Sequence, residues 1–236
     1  MQWRKGAKMN YFIFNGENSK DKGIIITKMP PISKPAKRIE KIIIPGKNGV
    51  LHQDDGTYET VVIQIQCAVV EKCNIKEIVN WLNGSGELIL SNDPDIFYNA
   101  HIINQIDYTS IVNLIHEFPL ELELQPFSHS IEKYKKIYTK GNDHIFNIPD
   151  ATATMLPYIK VVGSGQINLT INNETMILNV NEYIELDCEL LIAHKNYESA
   201  DNAVSGNFFK LLPGLNEINI LGNYTELEII YRKAYL

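Results

Sequence analysis

The strongest constraint on the fold is a strict alternation of apolar and polar residues near the middle of the chain. From Phe118 to Gln125, every even position is phenylalanine or leucine and every odd position is proline, glutamate or glutamine. Successive side chains of a β-strand point to opposite faces, so this run predicts a strand with one buried face. The same period recurs in Ile63–Val69, and Asn168–Val180 is typical of a hairpin that turns at Asn172-Asn173. Further strands are predicted at 184–186, 215–220 and 227–230.

One segment has a helical period instead. Apolar residues stand at i, i+3, i+4 and i+7 from Ile75 to Leu82, Asn74 can cap the start, and Gly84 follows the end. This spacing predicts one amphipathic helix over Asn74–Asn83. A second, weaker helical segment is predicted at Ser130–Tyr138.

A change of composition predicts two domains. Residues 128–138 are polar and basic, Gly141-Asn142-Asp143 and Pro149-Asp150 follow, and a fresh β pattern begins at Tyr158. We therefore expect a boundary within 138–150. Residues 1–138 are predicted to form an α+β domain, a β-sandwich or split barrel with one helix, and residues 139–236 an all-β sandwich. The fold class is mainly β.

The segment Met29–Gly49 differs from its surroundings. It contains four prolines and four basic residues before its final turn: Pro30, Pro31, Pro35, Pro45, Lys34, Lys37, Arg38 and Lys41. Proline cannot donate to a sheet ladder, so this density disfavours a central strand. The composition fits an extended arm that reaches over a neighbouring molecule, and it fits an ordinary long surface loop equally well.

Composition and charge exclude several classes of protein. Of the 236 residues, 44% are hydrophobic and 21% charged, which is typical of a folded globular chain. The formal net charge of −6 argues against a protein whose main partner is nucleic acid. The longest apolar runs, such as Ile42–Ile44, are too short for a membrane span. Residues 1–8 lack the apolar segment of a secretory signal and are assigned no function.

The sequence predicts no catalytic residue, no cofactor-binding residue and no metal ligand. Gly84-Ser85-Gly86 and Gly163-Ser164-Gly165 lack the spacing of a nucleophile elbow or a phosphate loop. Asp54-Asp55-Gly56 and Asp93-Pro94-Asp95 are typical turn sequences without the further ligands of a calcium loop. His116-Glu117 lacks the second histidine of a zinc protease motif. The three cysteines, Cys67, Cys73 and Cys188, show no CxxC spacing, which disfavours structural zinc and a disulfide framework.

The order of many short segments, from Met9 to Leu236, resembles the distal tail protein family of long-tailed, non-contractile bacteriophages and their prophages. In the first half these segments are Pro45-Gly46-Lys47-Asn48-Gly49, Asp55-Gly56-Thr57-Tyr58, Val61–Val69, Trp81-Leu82-Asn83-Gly84, Gly86-Glu87-Leu88, Ser91-Asn92-Asp93-Pro94-Asp95, Tyr98-Asn99-Ala100 and Phe118–Leu124 closing on Gln125-Pro126-Phe127. In the second half they are Pro157-Tyr158-Ile159-Lys160-Val161, Gly163-Ser164-Gly165, Asn172-Asn173, Ile184-Glu185-Leu186-Asp187 and Leu212-Pro213-Gly214-Leu215-Asn216.

The resemblance implies a structural, non-enzymatic virion protein at the tail tip, made in the cytoplasm of the bacterial host. It implies a hexameric ring, single or paired back to back, in which residues 1–138 form the ring. Residues 139–236 would form a β-sandwich that is galectin-like or similar to a carbohydrate-binding module. The expected partners are other copies of the chain, the major tail tube protein, a tail-associated hub or fibre protein, and receptor-binding or baseplate proteins. Neither nucleic acid nor membrane is an expected partner.

The arm has a specific role in this hypothesis. Its basic residues Lys34, Lys37, Arg38 and Lys41 are expected to meet acidic surface on the adjacent subunit, with Ile42–Ile44 supplying the buried part.

Two other functions fit the sequence. The C-terminal half could be a carbohydrate-binding module that stacks sugars on exposed aromatic rings, with Tyr183, Tyr197, Phe208, Phe209 and Tyr224 as candidates. The chain could also be a hydrolase of host wall or exopolysaccharide, which would need two carboxylates across a cleft. The sequence contains acidic residues but pairs none of them.

Overall fold

A computed structural model describes residues 10–69, 74–104, 117–139 and 141–236 of the chain. Residues 1–8, Cys73 and His116 lie outside this part. The chain divides into two compact units, Met1–Ser128 with Leu236, and His129–Tyr235. The predicted boundary after Tyr138 falls inside the second unit, because the strand that ends at Tyr138 pairs with a later strand of that unit.

The first unit contains one helix and most of the first nine strands. The strands are β1 (Phe12–Phe14), β2 (Glu17–Asn18), β3 (Ile24–Lys28), β4 (Lys37–Ile42), β5 (Leu51–Tyr58), β6 (Val61–Val69), β7 (Ser85–Leu90), β8 (Asp93–Ile102) and β9 (Glu117–Ser130), and the helix is α1 (Ile75–Trp81). Seven strands follow the order β2-β1-β7-β8-β9-β6-β3, whereas β4 and β5 form a separate two-stranded sheet.

The core of this unit is built by the alternation that the sequence shows. The even residues of β9 from Phe118 to Leu124 are buried, and β9 pairs antiparallel with β6, whose Ile63, Ile65 and Cys67 are also buried. Trp81, the last residue of α1, donates from Nε1 to the carbonyl oxygen of Phe14 at 2.9 Å. The helix therefore packs its apolar stripe onto the same face of the sheet. Asn74 occupies the cap position, but its side chain makes no capping hydrogen bond.

The second unit is formed by strands of very different length. They are β10 (Tyr134–Tyr138), β11 (Asp143–Ile148), β12 (Tyr158–Ile171), β13 (Glu174–Asp187), β14 (Ile192–Lys195), β15 (Glu198–Ser199), β16 (Val204–Gly206), β17 (Gly214–Tyr231) and β18 (Ala234–Tyr235). The central order is β10-β17-β12-β13-β14-β15, with β11 paired to β17 and β16 to β13. Asn172 has φ 56° at the turn between β12 and β13, which confirms the predicted hairpin.

The pairing between the long strands β12 and β17 is irregular. The register between β12 and β17 shifts at Val162/Gly163 and again between Ser164 and Asn168. A β-bulge bends a strand and increases its twist, so the sheet can curve where the register shifts. Gly163 lies at the first shift, where a Cβ atom would overlap the backbone of Asn223 and Tyr224.

The predicted fold class is confirmed, and two details were wrong. The chain is mainly β, and α1 is the one α-helix in the described ranges. The weak helix predicted at Ser130–Tyr138 is instead the end of β9 and the edge strand β10, which pairs with β17. The rings of Tyr134 and Tyr231 stack with centroids 5.7 Å apart, and this cross-strand pairing outweighs local helical preference. The two strands predicted at 215–220 and 227–230 are one strand, β17.

Candidate interaction surface

The most unusual surface of the first unit is the hairpin formed by β4 and β5. Their pairing runs from Lys37↔Tyr58 to Ile42↔Leu51. Every residue of the two strands except Ile42 and Tyr58 is exposed. An isolated two-stranded hairpin is marginally stable in water and needs packing against another surface. The hairpin is therefore the kind of element that is expected to pack against another molecule.

The sequence explains how this segment folds locally. Pro30 and Pro35 are buried before β4, and the residues between them are exposed. The connection between the strands contains Gly46 and Gly49 at φ 79° and 85°, a region that favours glycine. At the base, the Glu59 N–H donates to the Ala36 carbonyl oxygen at 2.8 Å. The chain thus leaves and re-enters the body of the unit at adjacent points.

Two ion pairs hold the base of the hairpin together. Lys37 Nζ lies 2.5 Å from Asp54 Oδ2, and Arg38 Nε lies 2.9 Å from Glu59 Oε1. The hydrogen bond from Lys37 lowers the pKa of Asp54, and the hydrogen bond from Arg38 lowers the pKa of Glu59. All four side chains are exposed, so these pairs act mainly on the shape of the hairpin.

These ion pairs bear on the arm hypothesis, which predicts that Lys37 and Arg38 meet an adjacent subunit. Within the chain, Lys37 already lies beside the Asp54 carboxylate and Arg38 beside that of Glu59. Lys34 and Lys41 have no ion pair within the described ranges and stay available to another molecule. The predicted loop alternative is wrong for residues 37–42, which form a strand.

The hairpin also exposes an unusual amount of apolar surface. Single exposed apolar side chains are ordinary on a protein, whereas a cluster on one element indicates an interaction site. Ile43 retains 76% of its surface in the single chain. The large hydrophobic residues exposed on the hairpin and its turn are Ile39, Ile43, Ile44, Val50 and Leu51.

The aromatic residues considered for sugar binding do not form one exposed platform. Phe209 is buried. The ammonium groups of Lys160 and Lys195 lie 4.3 Å and 5.3 Å from the centroid of the Tyr183 ring. Tyr224 donates a hydrogen bond to the Gly141 carbonyl oxygen. Phe208 is half-buried, and Tyr197 alone of the five is fully exposed.

The serine and aspartate motifs have structural roles. Ser85 Oγ lies 2.8 Å from His101 Nδ1 at a shallow polar cleft, but the two residues are cross-strand partners, so register alone brings them together. Asp54 and Asp55 accept the backbone N–H groups of Gly56 and Thr57 within β5, where its register with β4 shifts, and the predicted turn is therefore an irregular part of a strand. In the part of the chain that the structure describes, no three His, Cys, Asp or Glu side chains are grouped to hold a metal ion.

The two cysteines that the structure describes are buried. Burial raises the pKa of Cys67 to about 12 and that of Cys188 to about 11, so both thiols stay protonated at neutral pH. Within the described ranges, no helix has the length and apolarity to cross a membrane.

Comparisons with known proteins point to phage tails. Residues 15–124 match the family model of the phage tail protein RIFT-related domain. Among solved structures, the fold is similar to SPP1 Dit (gp 19.1), a paradigm of hub adsorption apparatus in Gram-positive infecting phages. The match has a TM-score of 0.77 at 12% identity, and it covers 97% of this chain and 100% of that one. No curated protein matches the chain by sequence. The predicted resemblance to distal tail proteins is confirmed in the fold.

The sequence predicts the arm but not its second strand, β5. β5 contains His52, Gln53, Asp54 and Asp55, which show no apolar alternation because neither face is buried in the single chain. The available signal was the glycine-containing turn between two extended segments of similar length.

Proposed function

We propose that this chain, which carries a phage tail protein RIFT-related domain over residues 15–124, is a distal tail protein of a long-tailed, non-contractile bacteriophage or prophage. It forms a hexameric ring, single or back to back, that joins the tail tube to the tail-tip and host-adsorption proteins. Its role is structural and not enzymatic.

The exposed β4–β5 hairpin is the observation that carries the ring. The hairpin presents apolar residues, and lysines without an ion pair in the described part of the chain, on an element too small to be stable by itself. If each hairpin packs on the next copy, every chain gives one contact and receives one. Repeated head-to-tail contacts of this kind close into a ring when the rotation between copies fits.

The other partners follow from the position of such a ring in a tail. One side contacts the last ring of the major tail tube protein, and the other contacts a hub or fibre protein. Receptor-binding or baseplate proteins attach around the ring, where residues 139–236 contribute a β-sandwich to the outside. The protein is made in the host cytoplasm and acts at the virion tail tip.

Replacing the hairpin tests this proposal. Because Ala36 and Glu59 are hydrogen-bonded at its base, a short Gly-Ser linker can replace Lys37–Tyr58 without straining the remaining sheet. We expect a folded monomer of the replacement variant, whereas the parent forms rings in sedimentation velocity.

A matched control removes exposed apolar surface elsewhere. Leu190→Ser with Leu191→Ser changes two exposed leucines of the second unit and should leave the rings intact. Rings that persist in the hairpin replacement would contradict the proposal that the hairpin joins neighbours.

A further inference from the structure

Strand β9 carries three glutamates, exposed Glu117 and half-buried Glu121 and Glu123, that have no cationic partner within the described ranges. Glu117, Glu121 and Glu123 all stand at odd positions of the strand, so they share the face opposite the core. Glu121 accepts a hydrogen bond from Gln64 Nε2 at 2.9 Å, and Glu123 accepts one from Thr60 Oγ1 at 2.7 Å. Both donors are neutral, and no ion pair reaches these carboxylates within the described ranges. We name this row the acidic stripe.

An exposed apolar side chain adjoins the acidic stripe. Val62 on β6 is the register partner of Glu123 and keeps 60% of its surface. Its strand neighbours on the same face, Gln64 and Gln66, are polar. A valine at this position of a polar face contributes nothing to the core, because the core lies on the other side of the sheet. The surface thus combines an apolar centre with flanking negative charge.

One face of the β4–β5 hairpin has the complementary composition. Register pairs Ile39 with Asp54 and Lys41 with His52, so these residues share a face, which Ile43 continues toward the turn. Asp54 is already paired with Lys37, which leaves Lys41 as the unpaired charge. We name this side, with Ile39, Lys41 and Ile43, the basic face.

We propose that the acidic stripe is the docking surface for the basic face of a second copy of this chain, with Lys41 against Glu121 and Glu123 and Ile43 against Val62. This inference rests on the proposed ring and names the surface that receives the hairpin. Charge complementarity identifies the occupant: the chain itself carries unpaired lysine beside exposed isoleucine, the counterpart of unpaired glutamate beside exposed valine. Donor and receiver then differ, as a head-to-tail ring requires.

Charge reversal on each side gives a sharp test. The receiver variant carries Glu121→Lys and Glu123→Lys, and the donor variant carries Lys41→Glu and Lys47→Glu. Lys47 is an exposed lysine of the hairpin turn without an ion pair in the described part of the chain. Each variant alone should lose its rings and sediment as a monomer of 26.9 kDa. An equimolar mixture of the two variants should form rings again. In a ring where they alternate, every hairpin meets a β9 surface of opposite charge.

A control variant separates local contact from net charge. Glu198→Lys with Glu217→Lys makes the same change of net charge on exposed residues of the second unit and should keep parental rings. Folding of each variant is checked by thermal unfolding. Rings should also weaken with rising salt in the parent, because exposed charge contacts are screened.

The outcomes distinguish the inference from the ring proposal. Rings lost on hairpin replacement but kept in the receiver variant would overturn the acidic stripe and leave the ring proposal standing. Failure of the mixed variants to reassemble would also overturn it. For a parent that stays monomeric, carbodiimide treatment of mixed ¹⁴N and ¹⁵N protein should link Lys41 to Glu121 or Glu123 between copies. Absence of that link would overturn the inference in that case.

Discussion

Substitution of Ile43 by alanine tests whether the tip of the hairpin is buried between copies. The change removes three carbon groups, worth about 2.4 kcal/mol if all were transferred from water to a packed interface. Ile43 keeps 76% of its surface exposed in the single chain, so the same fraction of this free energy, about 1.8 kcal/mol, would be gained only when the side chain is buried between copies. The expected effect is a roughly 20-fold weaker association at each interface.

The same substitution should leave the single chain unchanged. An exposed side chain contributes little to folding, so the free energy of unfolding should stay within about 0.5 kcal/mol of the parent. Ile63→Ala provides the contrast, because Ile63 is 3% exposed in the core of the first unit. That variant should lose about 2–5 kcal/mol of folding stability.

Sedimentation velocity over a concentration series measures the association, and denaturant unfolding measures the stability. A concentration midpoint for Ile43→Ala within twofold of the parent would refute burial of the tip in the ring. A loss of folding stability as large as that of Ile63→Ala would refute the described exposure of the hairpin.

Three further outcomes follow from the structure. Gly163→Ala should destabilise the second unit by about 1–3 kcal/mol in denaturant unfolding, because its Cβ would overlap the backbone of β17; an unchanged midpoint would contradict this packing. The lowered pKa values of Asp54 and Glu59 mean that their ion pairs stabilise the hairpin above the ordinary carboxyl range. In an acid titration followed by NMR, the amide shifts at the base of the hairpin should therefore change below about pH 4; shifts that stay constant would contradict these ion pairs. Alkylation at about pH 8 should spare Cys67 and Cys188 in the native protein and modify both after denaturation, as read by peptide mass mapping.

Much of the fold could be predicted because the apolar residues of each buried face repeat at the spacing of a strand or of a helix. The alternation in β9 and β6 and the i, i+3, i+4 spacing in α1 each reflect one apolar face, and the structure has these elements close to the predicted bounds. The middle of β17 could not be predicted in this way. Gly222 and Asn223 resemble a turn, yet the strand continues through them because β12 supplies an irregular stretch opposite.

The interaction surface was only half visible in the sequence. Proline and lysine content located the arm. Proline restricts backbone pairing and lysine adds charge, and neither effect depends on tertiary contacts. The internal pairing of Lys37 with Asp54 depends on the register of two strands, which composition does not record. The exposed Val62 could have been noticed as an apolar residue out of phase with its strand, but only after the core face was known.

The close approach of Ala36 and Glu59 makes the hairpin a module whose length can evolve by itself. Residues added in matched pairs to β4 and β5 would move the tip outward while the sheet beneath keeps its register. A single inserted residue would instead turn Lys41 and Ile43 to the opposite side of the ribbon, since side chains alternate along a strand. Among relatives that conserve the contact, the lengths of β4 and β5 should therefore differ by even numbers of residues. An even difference keeps the side chains that meet the neighbouring copy on the same face of the hairpin.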